Sequence, residues 1–329
     1  MEESAFGGKM TKPTVVVTRA IPRDAIDALA THCAIDENPA DDAYTPETLL
    51  SHARSADALV TLLTDRIDDA LLAQCPRLKV VANVAVGYDN IDVAAATRRG
   101  IVVTNTPGAL TDATADFAWA LLLAVVRRVV EADAYVRAGR FGGWKMMALH
   151  GGDLAGRTLG IAGFGRIGAA VARRGRGFGM HVIYTNARRA PAALEAACDA
   201  RFVDKATLLA SSDVLSLHLP LTASTRHFLG AAEFACMKPS AYLVNTARGP
   251  VVDEAALVTA LREGAIAGAG LDVFEREPAV DPALLTMDNV VLAPHIASAT
   301  VETRTKMALI AAENVLAVLG GRPPLAPVD

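Results

Sequence analysis

The sequence predicts an α/β protein built from two doubly wound, parallel-sheet domains with a cleft between them. Three observations predict this class. Short apolar runs alternate with amphipathic, helix-like stretches along nearly the whole chain, the pattern of repeated strand–helix units. The 329 residues exceed one domain of ordinary size. A glycine-punctuated strand-to-helix turn, "LGIAGFGRIGAAVARR" from Leu159, stands in mid-chain, with a separate α/β series before it.

The N-terminal "MEESAFGGKM" is polar and lacks an apolar signal core, so a disordered extension is expected, with Met10 as an alternative start. "TVVVTRA", "ADALVTLL", "LKVVANVAVG" and "GIVVTN" then read as buried strands, with "PRDAIDALATH" and "TPETLLSHAR" as helices between them. "TDATADFAWALLLAVVRRVVEADAYVRAGRF" reads as one long helix, with Thr111 or Asp112 as N-cap. The glycine unit opens a second strand series: "TLGIAGFG", "HVIYTN", "ARFV", "VLSLHLP", "AYLVNTA", "AGAGLDVF" and "NVVLAPH". "SATVETRTKMALIAAENVLAVLGG" is a last amphipathic helix. The simplest assembly is a discontinuous substrate-binding domain, 1–106 plus 297–329, into which a dinucleotide-binding domain, 107–296, is inserted. Hinges are expected at Asn105 to Pro107 and at His295 to Ser298, with the substrate between the domains.

Composition narrows the function. Hydrophobic residues at 52% and charged residues at 21% describe a well-cored globule rather than a disordered chain. A net charge of -4 carries no basic footprint, so nucleic acid is not an expected partner. No apolar run reaches the roughly 18 residues of a membrane span. Cys33, Cys75, Cys198 and Cys236 are scattered without a CxxC pair, which reads as free thiols in the cytoplasm rather than a metal site or disulfides.

A lone GxGxxG is weak, but here it follows a strand, opens a helix and precedes a second strand at Rossmann spacing. Gly163 allows the tight turn, Gly165 lets backbone approach a pyrophosphate, and Gly168 lets helix and strand pack closely. The amides of Arg166 and Ile167 would face the phosphates from the helix start. The second strand ends in "YTNARR", where an NAD site offers a carboxylate to the ribose 2′-hydroxyl. Asn186, Arg188 and Arg189 can instead donate to a 2′-phosphate, so NADP(H) is expected over NAD(H), which stays as the second cofactor.

Three later strand ends carry polar residues that the apolar strands do not need: Arg248 in "NTARGP", Asp272, Glu275 and Glu277 in "GLDVFEREP", and His295 in "APHIASAT". Strand C-termini are where ligands bind in open α/β sheets. An arginine, a carboxylate and a histidine emerging there together suggest carboxylate recognition joined to acid–base chemistry.

With these motifs, "VGYDNID" at Val86 and "PHIASAT" at Pro294, the sequence resembles the D-isomer-specific 2-hydroxyacid dehydrogenases from about Thr14 to Gly320. "LLTDRID", "TPGALTDATADFAWALLL" and "GGWKMMALHGGDLAG" resemble its glyoxylate/hydroxypyruvate reductase branch, whose features the 2-ketogluconate reductases share. The resemblance implies that Arg248 binds the substrate carboxylate and polarises its keto oxygen, and that His295 is the general acid, oriented by Glu277. The carboxylate beside the imidazole would favour its proton-donating form. By the same resemblance the amides of Val86 and Gly87 receive the carboxylate, Leu219, Pro220, Thr246, Asp272 and Ser298 contact the cofactor, and no metal is used. Glu275 is expected to be a structural or surface residue. Trp144 of a homodimer would enter the partner subunit's site; Met146 and Ala148 depart from the branch's "WKP" and following aromatic, which leaves room for a larger 2-keto acid. The rival class is a nucleotide-sensing, corepressor-like binding protein, which the expected short tails disfavour.

Overall fold

The computed structural model describes residues 12–328, so the expectations about Met1–Met10 lie outside the described residues. The chain divides into two compact units. One holds the described residues up to Leu110 and from Thr300 onward; the other is Thr111–Ala299.

The first unit is a six-stranded sheet: β1 (Thr14–Val17), β2 (Ala34–Glu37), β3 (Ala58–Thr61), β4 (Val80–Asn83), β5 (Val102–Thr104) and, from the chain end, β13 (Pro327–Val328). Its order is β13-β5-β4-β3-β1-β2, with β13 antiparallel and the rest parallel. The period of two explains the valine-rich strands. Val16, Leu59 and Val81 pack on one face against Leu49, Leu72 and Ala95. Val17, Val60 and Ala82 pack on the other against Ile26, Leu29, Ala311 and Val315. The second face is therefore covered partly by the helix Val301–Leu319. Two strands escape sequence reading: β2 is "AIDE", a half-buried edge, and β13 is only two residues long.

The second unit holds seven parallel strands: β6 (Thr158–Ala162), β7 (His181–Thr185), β8 (Ala200–Phe202), β9 (Val214–Leu217), β10 (Tyr242–Asn245), β11 (Gly268–Leu271) and β12 (Val290–Leu292). The order β12-β11-β10-β9-β6-β7-β8 confirms the doubly wound class. The chain runs outward from β6 to β8, then returns to place β9 on the other side of β6. That reversal makes the C-terminal ends of β6 and β9 the switch point where such sheets bind ligands.

The expected single long helix is corrected to two, Thr111–Val126 and Val129–Arg137. Arg128 between them takes a left-handed φ of 54°, and its guanidinium clasps both oxygens of Glu131 at 2.7 Å. The break falls where burial ends. The first helix buries Leu121, Leu122, Val125 and Val126, whereas the second buries none of its residues. The Val126 carbonyl is taken by the Gly152 amide at 3.0 Å rather than by a following helical turn. No glycine or proline marks this stop.

The chain end is tied back by Asn314, fully buried, whose Oδ1 accepts the amides of Leu325 and Ala326 at 2.8 and 3.2 Å. Asn314→Ala should therefore cost about 1–3 kcal/mol, the worth of leaving such donors unpaired. Urea denaturation measures this, and an unshifted midpoint would show that the tail does not depend on Asn314.

Candidate active site

The glycine turn lies at the switch point between β6 and the helix Arg166–Gly177. Gly163 has a φ of 96°, and a Cβ there would stand 2.5 Å from the His218 carbonyl carbon, so only glycine lets the turn lie against the end of β9. A Cβ on Gly168 would stand 2.2 Å from the Gly163 oxygen, which is the expected helix–strand close packing. At Gly165 nothing lies within 4 Å of such an atom, so this side of the turn is open. The first intrahelical bond runs from the Ala169 amide to the Gly165 carbonyl, so the amides of Arg166 and Ile167 point out of the helix end. Open backbone and projecting amides suit a pyrophosphate. After β10, the buried Thr246 hydroxyl has no hydrogen-bond partner among the described residues. These residues fit a dinucleotide.

At the end of β7, Tyr184 is fully buried and stacks on Phe164 of the glycine turn, with ring centroids 4.1 Å apart. Its hydroxyl donates to Glu195 at 2.6 Å and accepts the Ala190 amide at 2.9 Å. Asn186 accepts the Phe164 amide at 2.6 Å, and Arg189 grips Glu195 through Nε and Nη2, both at 2.9 Å. Asn186, Arg188 and Arg189, expected together as donors to a 2′-phosphate, thus stand in different surroundings. Both arginines are exposed, but Asn186 and Arg189 are engaged within the protein, whereas Arg188 has no partner among the described residues.

Arg248, Glu277 and His295, the expected acid–base residues, follow the ends of β10, β11 and β12. His295 Nδ1 lies 2.9 Å from Glu277 Oε2, and the other Glu277 oxygen accepts the Phe274 amide at 3.0 Å. Burial works to raise the Glu277 carboxyl, but the bond and charge of His295, the Phe274 amide and the Arg248 charge outweigh it, so it is held below its ordinary value. Arg248 donates to the Ala247 carbonyl at 2.9 Å, and its own carbonyl accepts from Asn245 at 3.0 Å. Next to it, Gly249 packs so tightly that a Cβ would stand 1.8 Å from the Phe274 oxygen; the two loops touch backbone to backbone.

His295 has a left-handed φ of 55°. Asp272, fully buried, holds that conformation: its carbonyl accepts the His295 amide at 2.9 Å, and its two carboxylate oxygens accept Ile296 and Ala297 at 2.7 and 2.8 Å. Burial leaves the Asp272 carboxyl raised despite these amides and the nearby His295. The resemblance gave Asp272 as a cofactor contact and missed its loop-holding part; only its position at a strand end hinted at it. Glu275, expected to be structural, pairs with His227 at 2.7 Å and accepts the Glu254 amide at 3.2 Å.

Leu219 and Pro220 follow β9, and Ser298 follows the His295 loop, all in the second unit. Val86 and Gly87 belong to the first unit, where their carbonyls accept from Asn105 and Asn83 at 2.8 and 2.9 Å. Trp144 stands 78% exposed in the second unit, away from any core cluster. The four cysteines are free, three of them buried. Among the described residues no helix is long and apolar enough to cross a membrane.

The family model "D-isomer specific 2-hydroxyacid dehydrogenase, NAD binding domain" matches residues 119–297. A glyoxylate reductase of Thermococcus litoralis is 53% identical over 317 residues, covering 95% of this chain and 96% of that protein. A glyoxylate reductase of Aeropyrum pernix is 54% identical, covering 96% and 95%. Among solved structures, an NADPH-dependent glyoxylate/hydroxypyruvate reductase of Sinorhizobium meliloti, in complex with NADP and malonate, superposes with a TM-score of 0.85 at 36% identity, covering 97% of each chain. The chain belongs to the D-isomer-specific 2-hydroxyacid dehydrogenase family and is an NAD(P)-dependent dehydrogenase.

Because Glu277 is held below its ordinary value, its proton binds the folded state less readily than the unfolded chain. The resulting stability is full above the ordinary carboxylate range and is lost as pH falls through the folded value. Glu277→Gln should therefore lower Tm near neutrality and converge with wild type in acid. Parallel Tm–pH curves for the two proteins would refute the pairing.

Proposed function

We propose that this enzyme is an NADPH-preferring reductase of small 2-keto acids, glyoxylate and hydroxypyruvate, to D-2-hydroxy acids. The observation that carries the reading is the His295–Glu277 pair beside the Arg248 charge, built at the strand ends of the same sheet as the glycine cradle. The relatives bearing the name glyoxylate reductase and the NADPH-dependent neighbour support it.

A reduced nicotinamide bound at the glycine turn would supply hydride to the keto carbon. Arg248 presents a planar fork that suits a carboxylate and an adjacent keto oxygen, and it favours the charge growing on that oxygen. Among the described residues His295 Nε2 makes no hydrogen bond, so it is available to deliver the proton to that oxygen as the hydroxyl forms. Glu277 holds the ring by Nδ1 and balances its charge. We assign the amides of Val86 and Gly87 to the substrate carboxylate, and Leu219, Pro220, Thr246, Asp272 and Ser298 to the nicotinamide side. The buried thiols agree with a reducing cytoplasm.

Oxidation of NADPH and NADH, measured with glyoxylate, hydroxypyruvate and 2-ketogluconate side by side, tests the reading. We expect higher kcat/KM with NADPH and with the two small acids; equal or better activity with NADH would remove the cofactor preference. His295→Asn should lose about 10²–10⁴-fold in turnover while still binding NADPH. Retained turnover would exclude it as the acid.

A homodimer is part of this proposal. Val129, Val130, Val136, Phe141, Trp144, Met146 and Met147 are each more than half exposed along one arm of the second unit, an apolar surface that a two-fold partner would cover. Sedimentation at micromolar concentration should show twice the chain mass, and Trp144→Ala should change keto-acid ranking with little change in NADPH affinity. A fully active monomer would contradict it.

A further inference from the structure

The turn that follows β7 is pinned at three points. Asn186 accepts the Phe164 amide and so ties the turn to the glycine loop at 2.6 Å. The Ala190 amide is held by the Tyr184 hydroxyl at 2.9 Å, and that ring is fixed between Phe164 and Phe202. Between these points Arg189 is folded onto Glu195, giving both Nε and Nη2 to it, while Glu195 takes a third bond from Tyr184. Glu195 itself is buried. The Arg189 side chain is 67% exposed, so this is a surface pair. Even so, for Arg189 to reach a phosphate two charge-assisted bonds would have to break and Glu195 would lose the cation that faces it. Arg188 carries no such commitment: it is exposed, and its side chain has no partner among the described residues.

We infer that Arg188 alone discriminates the 2′-phosphate, and that Glu195 sets the strength of this discrimination by holding Arg189 out of the site as a positioning residue. The inference rests on the NADPH reading above. The end of β7 carries no carboxylate; the nearest one after it, Glu195, lies on the helix Ala192–Cys198 and is paired with Arg189. One arginine is therefore spent on shape and one is left for selection.

Adenosine 2′,5′-bisphosphate and 5′-AMP differ only in the 2′-phosphate, so the ratio of their dissociation constants, measured by calorimetry on the full chain, reads the discrimination directly. Wild type should favour the bisphosphate. Arg188→Ala should cut the ratio by about tenfold or more, the scale of a lost charge-assisted pair. Arg189→Ala should leave the ratio within about twofold while lowering Tm, because Glu195 is left without its cation; Arg189→Lys carries the same expectation for the ratio should the alanine variant be recovered unfolded. Glu195→Gln loosens Arg189 and should raise the ratio, and adding Arg189→Ala to it should cancel the rise, which a purely structural Glu195 would not produce. An Arg189→Ala ratio that falls as far as that of Arg188→Ala, or a Glu195→Gln ratio that does not move, overturns the division of roles. A wild-type ratio near one instead removes the NADPH reading, and this inference with it.

Discussion

The buried carboxylate of Asp272 is the constraint on which the arrangement of the proposed site depends. A histidine with a left-handed backbone is costly, and it persists only where surrounding structure over-determines it. Here Asp272 offers three acceptors to three successive amides, those of His295, Ile296 and Ala297, at 2.7–2.9 Å. That clamp turns the chain after β12 so that the imidazole meets Glu277 through Nδ1. The ring orientation is thus fixed from the backbone side by one acid and from the side-chain side by another.

The two acids are driven in opposite directions by their surroundings. Asp272 is raised because burial outweighs the amides it accepts, whereas Glu277 is lowered because His295, the Phe274 amide and Arg248 outweigh its burial. Two carboxylates near one imidazole would compete if both were ionised and unscreened. Hydrogen bonds to backbone for one, and cations for the other, separate their tasks. The packing of Gly249 on the Phe274 carbonyl sets the spacing between Arg248 and the Glu277 loop, so the geometry of the cluster is set as much by main chain as by side chains.

The fold was legible because parallel strands buried on both faces must be apolar. Most strands of the second unit stand in the sequence as apolar runs; the edge β8, "ARF", carries the exposed Arg201. The half-buried edge β2 and the two-residue β13 carry too few apolar positions to register. The stop after Val126 was invisible because the apolar pattern continues through Val129 and Val130 into helix that buries nothing. Gly163 and Gly168 were legible in detail, since each answers a local steric demand, while Gly165 leaves its side of the turn open. The arginine pair was not. Sequence counts charges near a turn, but the commitment of Arg189 to Glu195 depends on a helix turn and on a tyrosine hydroxyl brought beside it.

The helix Val301–Leu319 has a consequence for how the chain matures. Ala308, Ala311, Ala312 and Val315 form part of one face of the first unit's core, and β13 closes its sheet against β5. These segments leave the ribosome after Thr111–Ala299, a continuous stretch that carries its whole sheet within itself. During synthesis the later-encoded unit can therefore complete its core first. The N-terminal strands must wait with one apolar face partly uncovered until the helix Val301–Leu319 has been made. They pay the closure entropy of the longest loop in the molecule, and that interval is when the nascent chain most needs protection from aggregation.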